Sequence, residues 1–100
     1  MAQQELEFEW DEAKARSNLE KHGVSFVTAV ATFRNERLEA IDEREDYGEI
    51  RCIALGRAGT EVYRVIYSWR SENQIRIISA QKANQDERET YYREIHPGRS

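Results

Sequence analysis

Cysteine and proline are nearly absent from this sequence, which contains one residue of each. A single cysteine, Cys52, cannot form an internal disulfide framework or supply a cysteine-based zinc site. No apolar run approaches the roughly 20 residues of a membrane span, and residues 1–7 lack the basic and apolar regions of a secretory signal. We therefore expect a cytoplasmic protein without disulfides or a membrane association.

Lysine is also scarce: the chain contains three Lys and twelve Arg. With 19 acidic residues, its formal net charge is −4. This balance argues against a polycation that holds nucleic acid by bulk electrostatics. Arginine, however, suits planar, bidentate recognition of phosphate or carboxylate. The 100 residues are enough for one domain, which we expect to span residues 1–100 with its core at about residues 8–95.

The first third of the chain predicts two short helices after an alternating, extended segment at residues 7–10. Asp11 is a natural N-cap for the first helix, and Gly23 ends it after His22. Ser25 caps the second helix. Its apolar residues recur at helical spacing, at Phe26, Ala29, Val30 and Phe33.

From about residue 36 the pattern changes to period 2, which predicts four strands joined by short turns. The strands are expected at about residues 38–41, 49–55, 61–69 and 74–80, with an acidic turn at 42–48 and a glycine-bounded turn at 56–59. Asn84 and Glu87 form a capping-box pattern for a last helix, stopped by Pro97 and Gly98. The sequence predicts an α+β domain with two N-terminal helices, a four-stranded, mainly antiparallel sheet and a C-terminal helix, with the helices on one face.

Three arginines, Arg51, Arg64 and Arg76, fall on three different central strands of this pattern. Guanidinium groups there indicate that one face of the sheet is partly open. They can converge into an anion site, where bidentate donors stabilise the charge that develops on phosphoryl oxygens. Alternatively they pair with carboxylates across strands, and spacing alone favours this second interpretation. The available carboxylates are Glu49, Glu61 and Glu72.

Two histidines are present, and histidine transfers protons near neutral pH. His22 is the candidate general acid or base, although a histidine in the last turn of a helix is more often a cap. His96 beside Pro97 is interpreted as a tail residue. No histidine or cysteine spacing suits a metal ion, so we expect none.

Two further patterns each have a plain and a functional interpretation. Tyr63, Tyr67 and Trp69 share one face of a strand, where they most simply form the core, although such a row can also stack bases. The acidic cluster at Asp42–Asp46 is most simply a solvated loop, and its functional interpretation is a contact for a basic partner.

Several motifs together resemble the BrnT family of toxins. They are Phe8-Glu9-Trp10-Asp11, Lys21-His22-Gly23-Val24-Ser25-Phe26 and Arg76-Ile77-Ile78-Ser79-Ala80, with Glu49, Arg51, Gly56, Glu87-Arg88 and Tyr91-Tyr92 in matching order. The resemblance covers about residues 8–92. It implies a RelE-like ribonuclease toxin of a type II toxin–antitoxin pair. It further implies a BrnA-type antitoxin whose ribbon-helix-helix domain binds operator DNA, and which covers the arginines with acidic residues or docks to the helices.

The resemblance implies cleavage of mRNA that inhibits translation and growth, without a metal ion or a cofactor. The candidate catalytic residues are His22, Glu49, Arg51, Arg64, Arg76 and Lys82, and the candidate RNA-binding residues are Arg51, Arg76, Gln81 and Lys82. We expect Arg51 and Arg76 to contact phosphate, with Lys82 or Arg64 assisting. His22 or Glu49 is expected to act as the base.

One position departs from the family pattern, because Gln81 stands where the family usually has Arg. Glutamine donates hydrogen bonds but carries no charge, so the site is weakened if that Arg acts on the transition state. Lys82 compensates only partly, because adjacent strand residues face opposite ways. The alternative function is therefore a catalytically weakened homologue that serves as an antitoxin-bound co-repressor or as an RNA-binding module.

Overall fold

The computed structural model of the protein describes residues 5–44, 46 and 48–95, and its elements follow the predicted order of helices and strands. They are β1 (Glu7–Glu9), α1 (Glu12–His22), α2 (Phe26–Thr32), β2 (Arg37–Ile41), β3 (Cys52–Ala58), β4 (Glu61–Ser71), β5 (Gln74–Lys82) and α3 (Gln85–Ile95). The α+β prediction is confirmed. His96, Pro97 and Gly98 lie outside the described residues.

The predicted caps of the helices are confirmed, except for the end of the last helix at Pro97 and Gly98, which lies outside the described residues. Asp11 and Ser25 each accept a hydrogen bond from the backbone N–H three residues on, at 3.0 and 3.1 Å. Gly23 ends α1 with φ +69°, a left-handed conformation that glycine adopts without a Cβ penalty. Asn84 and Glu87 cap α3 reciprocally, with both N–H···O distances at 2.8 Å.

The sheet has five strands rather than the four predicted, in the order β1-β5-β4-β3-β2. The four expected strands pair antiparallel, whereas β1 pairs parallel with β5. The Glu7 N–H also donates to the Asn73 carbonyl oxygen at 2.8 Å. A three-residue segment is too short for its alternation to predict a partner, so the fifth strand was missed.

The turn predicted at residues 56–59 is wrong for residues 56–58, because β3 continues through Gly56 to Ala58. A Cβ on Gly56 would lie 3.0 Å from the Thr32 Cβ, which is too close for an undisturbed contact. Gly56 therefore lets α2 approach the strand, and the chain turns only at Gly59 and Thr60.

One face of the sheet, which we call the helix face, is covered by α1 and α2. Alternate strand residues pack there against Phe26 and Ala29 of α2. The most buried of them are Ala54, Val65, Tyr67, Ile75 and Ile77. Tyr67 is 1% exposed, so the aromatic row on β4 is core at its centre, whereas Trp69 at the end of the row is 45% exposed.

The opposite face of the sheet, which we call the arginine face, is covered by α3 at one end. Tyr91 of α3 packs there with Val62 and Leu55. The prediction that all helices lie on one face is therefore wrong. The physical reason is that Val62 and Leu55 give the second face an apolar end, and this end needs a cover.

Candidate functional site

Cross-strand register places the arginines predicted on the sheet on the same face. Arg76 on β5 lies opposite Ser68 on β4 and, on its other side, opposite Glu9 on β1. Arg51 immediately precedes β3, and extending the β3–β4 register by one residue places it beside Ser68. The residues Arg51, Ser68, Arg76 and Glu9 therefore form a row across four strands, which we call the arginine row. With strands about 4.8 Å apart, the two arginine backbones are about 10 Å apart, within reach of one phosphate.

The arginine row is open to ligands and already engages carboxylates. The side chains of Arg51 and Arg76 are 24% and 34% exposed. Glu9 Oε2 lies 2.9 Å from Arg76 Nη1, and Arg51 Nε lies 3.4 Å from Glu49 Oε2. The interpretation that these arginines pair with carboxylates therefore holds for both, although Arg76 pairs with Glu9 rather than with the expected residues. Partly exposed ion pairs are weak enough to exchange a carboxylate for a phosphate.

Glu9 holds Arg76 from the edge of the sheet and is itself fixed by two further donors. Gln74 Nε2 donates to Glu9 Oε1 at 3.0 Å, and Arg70 Nε lies 3.6 Å from Glu9 Oε2. The carboxylate thus fixes the orientation of the Arg76 guanidinium group. In the sequence Glu9 stands out only as part of a family motif, because its pairing with β5 depends on the unpredicted strand β1.

Ser68 lies between the two arginines and has a buried hydroxyl. The residue is 2% exposed, and its Oγ has no hydrogen-bond partner within the described part of the chain. Buried polar groups are nearly always hydrogen-bonded, so an unpaired hydroxyl on the strand between Arg51 and Arg76 is a candidate contact for a polar ligand. No sequence signal distinguishes Ser68 from other strand serines.

Arg64 and Gln81 form a second polar pair on the same face, nearer to α3. Register places them opposite each other, and Arg64 Nε lies 3.7 Å from Glu87 Oε2 of α3. This Nε is also buried without a hydrogen-bond partner among the described residues. Arg64 is four residues from Ser68 along β4, about 13 Å, so it does not join the arginine row.

The structure separates Lys82 from the other candidates. Lys82 lies opposite Tyr63, on the face opposite to that of its neighbour Gln81. It is exposed at the end of β5. Register therefore does not bring it to the arginine row.

His22 lies in a groove beside β5 that sequence analysis did not predict. The groove has a volume of about 180 Å³ and combines basic and hydroxyl groups. Its lining residues are Lys14, Ser17, Asn18, Lys21, His22, Ile78 and Ser79. Because Ser79 lies opposite Ile66 on the arginine face, the groove opens at the margin of that face. Lys14 and Lys21 are seven residues apart on α1, a spacing that places them on one side of a helix and offered a signal in the sequence.

Asn18 fixes α1 in this position. The pairing of β5 with β1 ends at Arg76. Further along β5, the Asn18 side-chain amide makes the hydrogen bonds to the β5 backbone that a neighbouring strand would make. The Ala80 N–H donates to Asn18 Oδ1 at 3.1 Å, and Asn18 Nδ2 donates to the carbonyl oxygens of Ala80 and Val24 at 2.8 and 2.9 Å.

The cap residue Asp11, at the other end of α1, has its pKa lowered by the Lys14 backbone N–H and, less strongly, by the charges of Lys14 and Arg76.

Among residues 5–44, 46 and 48–95, no group of three or more His, Cys, Asp or Glu side chains is placed to hold a metal ion. No helix in that part of the chain is both long and apolar enough for a membrane span.

Comparisons with known proteins point to one family. A family model described as the ribonuclease toxin BrnT of type II toxin–antitoxin systems matches residues 10–87. The chain is also similar to the 1.1 Å crystal structure of the Brucella abortus ribonuclease toxin BrnT, with a TM-score of 0.60 and 24% sequence identity. That match covers 80% of this chain and 99% of the other. No match was found among curated proteins.

Proposed function

Because the chain belongs to the BrnT family of ribonuclease toxins of type II toxin–antitoxin systems, we propose that it is an endoribonuclease that cleaves mRNA on its arginine face. The observation that carries the proposal is the arginine row, in which Arg51 and Arg76 flank the buried Ser68 hydroxyl. Cleavage of mRNA in the cytoplasm inhibits translation and growth.

The reaction we propose requires neither a metal ion nor a cofactor. The RNA 2′-oxygen attacks the adjacent phosphorus as a base removes its proton, and the bond from phosphorus to the 5′-oxygen breaks with protonation of that oxygen. The products are a 2′,3′-cyclic phosphate and a 5′-hydroxyl. Arg51 and Arg76 bind the non-bridging oxygens, on which negative charge develops in the transition state, and the Ser68 hydroxyl donates to the same group.

Proton removal is assigned to Glu49, because its carboxylate lies against Arg51 at the end of the row. His22 lies across β5 in the groove with Lys14 and Lys21, and we assign these three residues to binding the RNA chain beyond the cleaved bond. Arg64 and Gln81 are placed to contact the chain on the α3 side. The test is a comparison of Glu49→Gln with His22→Gln: a lower kcat is expected for the first and a higher KM for the second. The opposite result assigns the base to His22.

Family membership implies an antitoxin partner. We propose a BrnA-type antitoxin with a ribbon-helix-helix domain, through which alone the toxin is held on operator DNA. Acidic antitoxin side chains would neutralise the arginine face, since Arg51 and Arg76 are partly exposed there.

The proposed reaction is tested with the purified protein and an RNA oligonucleotide in EDTA. We expect cleavage at an undiminished rate, products with 2′,3′-cyclic phosphate and 5′-hydroxyl ends, and no cleavage where a 2′-deoxynucleotide replaces the attacking ribose. Loss of cleavage in EDTA, or cleavage next to the deoxynucleotide, contradicts the proposal.

The second candidate is a weakened homologue that remains bound to its antitoxin as a co-repressor or that binds RNA without cleaving it. Gln81 favours this candidate, because it places a neutral amide opposite Arg64 on the arginine face. It predicts that RNA is retained by the protein at its original length.

A further inference from the structure

Three exposed apolar side chains lie near one end of the strands β2, β3 and β4. Ile41, Ile50 and Trp69 are 60%, 69% and 45% exposed. Ile41 and Trp69 line one cavity of about 210 Å³, and Ile50 and Trp69 line a neighbouring one of about 380 Å³. Because Trp69 lines both cavities, we group the three side chains under one name, the Trp69 corner.

The floor of the smaller cavity is rigid and polar. The Tyr67 hydroxyl donates to the Glu39 carboxylate, and Cys52 and Tyr67 line the cavity with Glu39. Burial and the bond to Glu39 raise the pKa of Tyr67 far above its ordinary value, so the hydroxyl stays a donor. The cavity therefore keeps its shape and presents a fixed carboxylate at its margin.

The adjoining strand β2 has a free edge. It is the last strand of the sheet, and no strand covers its outer side in the described ranges. The Asp42 N–H donates to the Arg51 carbonyl oxygen at 2.7 Å, so the backbone groups of alternate residues face β3. Those of Arg37, Glu39 and Ile41 point outward. A free edge of this kind pairs with an extended segment of another chain.

The charge beside this edge is acidic. The sequence from residue 42 to residue 49 contains five acidic residues and one arginine. On β2 itself the Glu39 carboxylate is paired with Arg37 at 3.4 Å, and Glu49 is paired with Arg51, so the acidic character comes from the loop. Arg44 pairs with Asp42 at 2.8 Å, and Glu43 and Asp46 are exposed. The proposed ribonuclease reaction gives Glu43 and Asp46 no role. Charge complementarity favours a basic occupant of the edge.

We propose that the β2 edge and the Trp69 corner bind an extended segment of a partner protein in which basic and apolar side chains alternate. Its backbone pairs with Arg37, Glu39 and Ile41. Its side chains alternate in direction, so the apolar ones pack on the Trp69 corner while the basic ones reach the acidic loop. The smaller cavity is lined by no residue of the arginine row, whereas the larger cavity is also lined by Glu49 and Ser68. Strand pairing at the β2 edge does not depend on the proposed ribonuclease function.

The experiment titrates isotope-labelled protein with the synthetic peptide Lys-Val-Lys-Leu-Lys-Val-Lys and follows the protein by NMR. Saturable shifts are expected at the amides of Arg37, Glu39 and Ile41 and at the Trp69 indole. The same peptide with Glu in place of Lys should not bind. A peptide methylated on alternate backbone nitrogens should bind at least about tenfold more weakly, since it cannot pair with a strand edge.

Matched variants locate the binding surface. Ile41→Ser should weaken binding at least about fivefold, since it removes apolar area from the corner. Val27→Ser, which changes a 68% exposed side chain on α2, should bind as the wild type does. Three results overturn the proposal: equal binding by Ile41→Ser, shifts confined to the arginine face, or self-association of the protein that Ile41→Ser abolishes. The last assigns the surface to a second copy of this chain.

Discussion

The two faces of the sheet are built from the same strands but differ in burial: one face carries the apolar core, and the other carries partly exposed arginines. On β5, Ile75 is fully buried on the helix face, while its neighbour Arg76 keeps 34% of its side chain exposed on the other. The helix face is covered by α1 and α2 over its core, whereas Ile41 and Trp69 at one end of that face are exposed. The arginine face is covered by α3 only where Leu55 and Val62 lie, and the arginine row beyond remains accessible. Period-2 alternation thus lets one strand carry both core and site.

The two faces are expected to contribute different amounts of free energy to folding. Fully burying a large apolar side chain contributes about 1.5–3 kcal/mol, and the helix face buries several. A partly exposed ion pair contributes at most about 1 kcal/mol, so Glu9–Arg76 and Glu49–Arg51 add little to the fold. We therefore expect mutations on the helix face to change stability and mutations in the arginine row to change activity.

The largest effect is expected from Arg76→Ala. Removing this donor should slow RNA cleavage about 100-fold, because charge that develops at phosphorus loses a fixed partner. The free energy of unfolding should change by less than about 1 kcal/mol. Cleavage kinetics measure the first effect, and urea denaturation measures the free energy of unfolding. Arg93→Ala, an exposed change on α3, serves as the control, and a loss of several kcal/mol in Arg76→Ala would make the row structural.

Asn18→Ala tests the helix face. The substitution leaves the backbone N–H and carbonyl of Ala80 without their partner, so we expect a loss of about 2 kcal/mol in urea denaturation. Leu19→Ala, at a 51% exposed neighbour, should cost far less. Equal stability of the two variants would show that Asn18 does not fix α1 against β5.

Gln81→Arg sharpens the comparison by adding a charge to the arginine face. We expect roughly a tenfold gain in cleavage and stronger growth inhibition on expression, since a guanidinium group stabilises phosphoryl charge where an amide does not. Gln85→Arg, at the exposed start of α3, should change neither. If Gln81→Arg and the wild type act alike, the weakened-site interpretation is wrong.

Tyr67→Phe tests a contact on the helix face through the pH dependence of the unfolding free energy. Tyr67 has a raised pKa in the folded state and an ordinary value of 10.0 when unfolded. Above about pH 10 the unfolded chain alone loses this proton, so wild-type stability should fall by up to about 1.4 kcal/mol per pH unit. Below pH 10 this contribution is fully present. The difference in unfolding free energy between wild type and Tyr67→Phe should therefore shrink from pH 9 to 11, and a constant difference refutes the assignment.

Sequence predicts the local features well because their causes are local. Asp11, Gly23 and Ser25 act within one helical turn, and the alternation around Arg76 depends only on neighbouring residues. Strand β1 and the inserted Gly56 depend instead on contacts with distant segments, β5 and Thr32. Local patterns do not encode such contacts.

The candidate site also contains features that the sequence predicts and features that only the structure reveals. Alternation placed Arg76 and Arg64 on an open face, and only the register showed that Arg76 groups with Arg51 while Arg64 does not. Ser68 and Glu9 enter the row through partners on other strands. No pattern within their own segments marks them.

The central claim is that the arginine row performs the cleavage, and Arg51→Ala tests it most directly. Purified wild type, Arg51→Ala and the exposed control Arg16→Ala are compared for RNA cleavage in EDTA and for stability in urea. We predict that wild type and Arg16→Ala cleave equally and that Arg51→Ala is slower by about 100-fold at unchanged stability. Undiminished cleavage by Arg51→Ala would contradict the account.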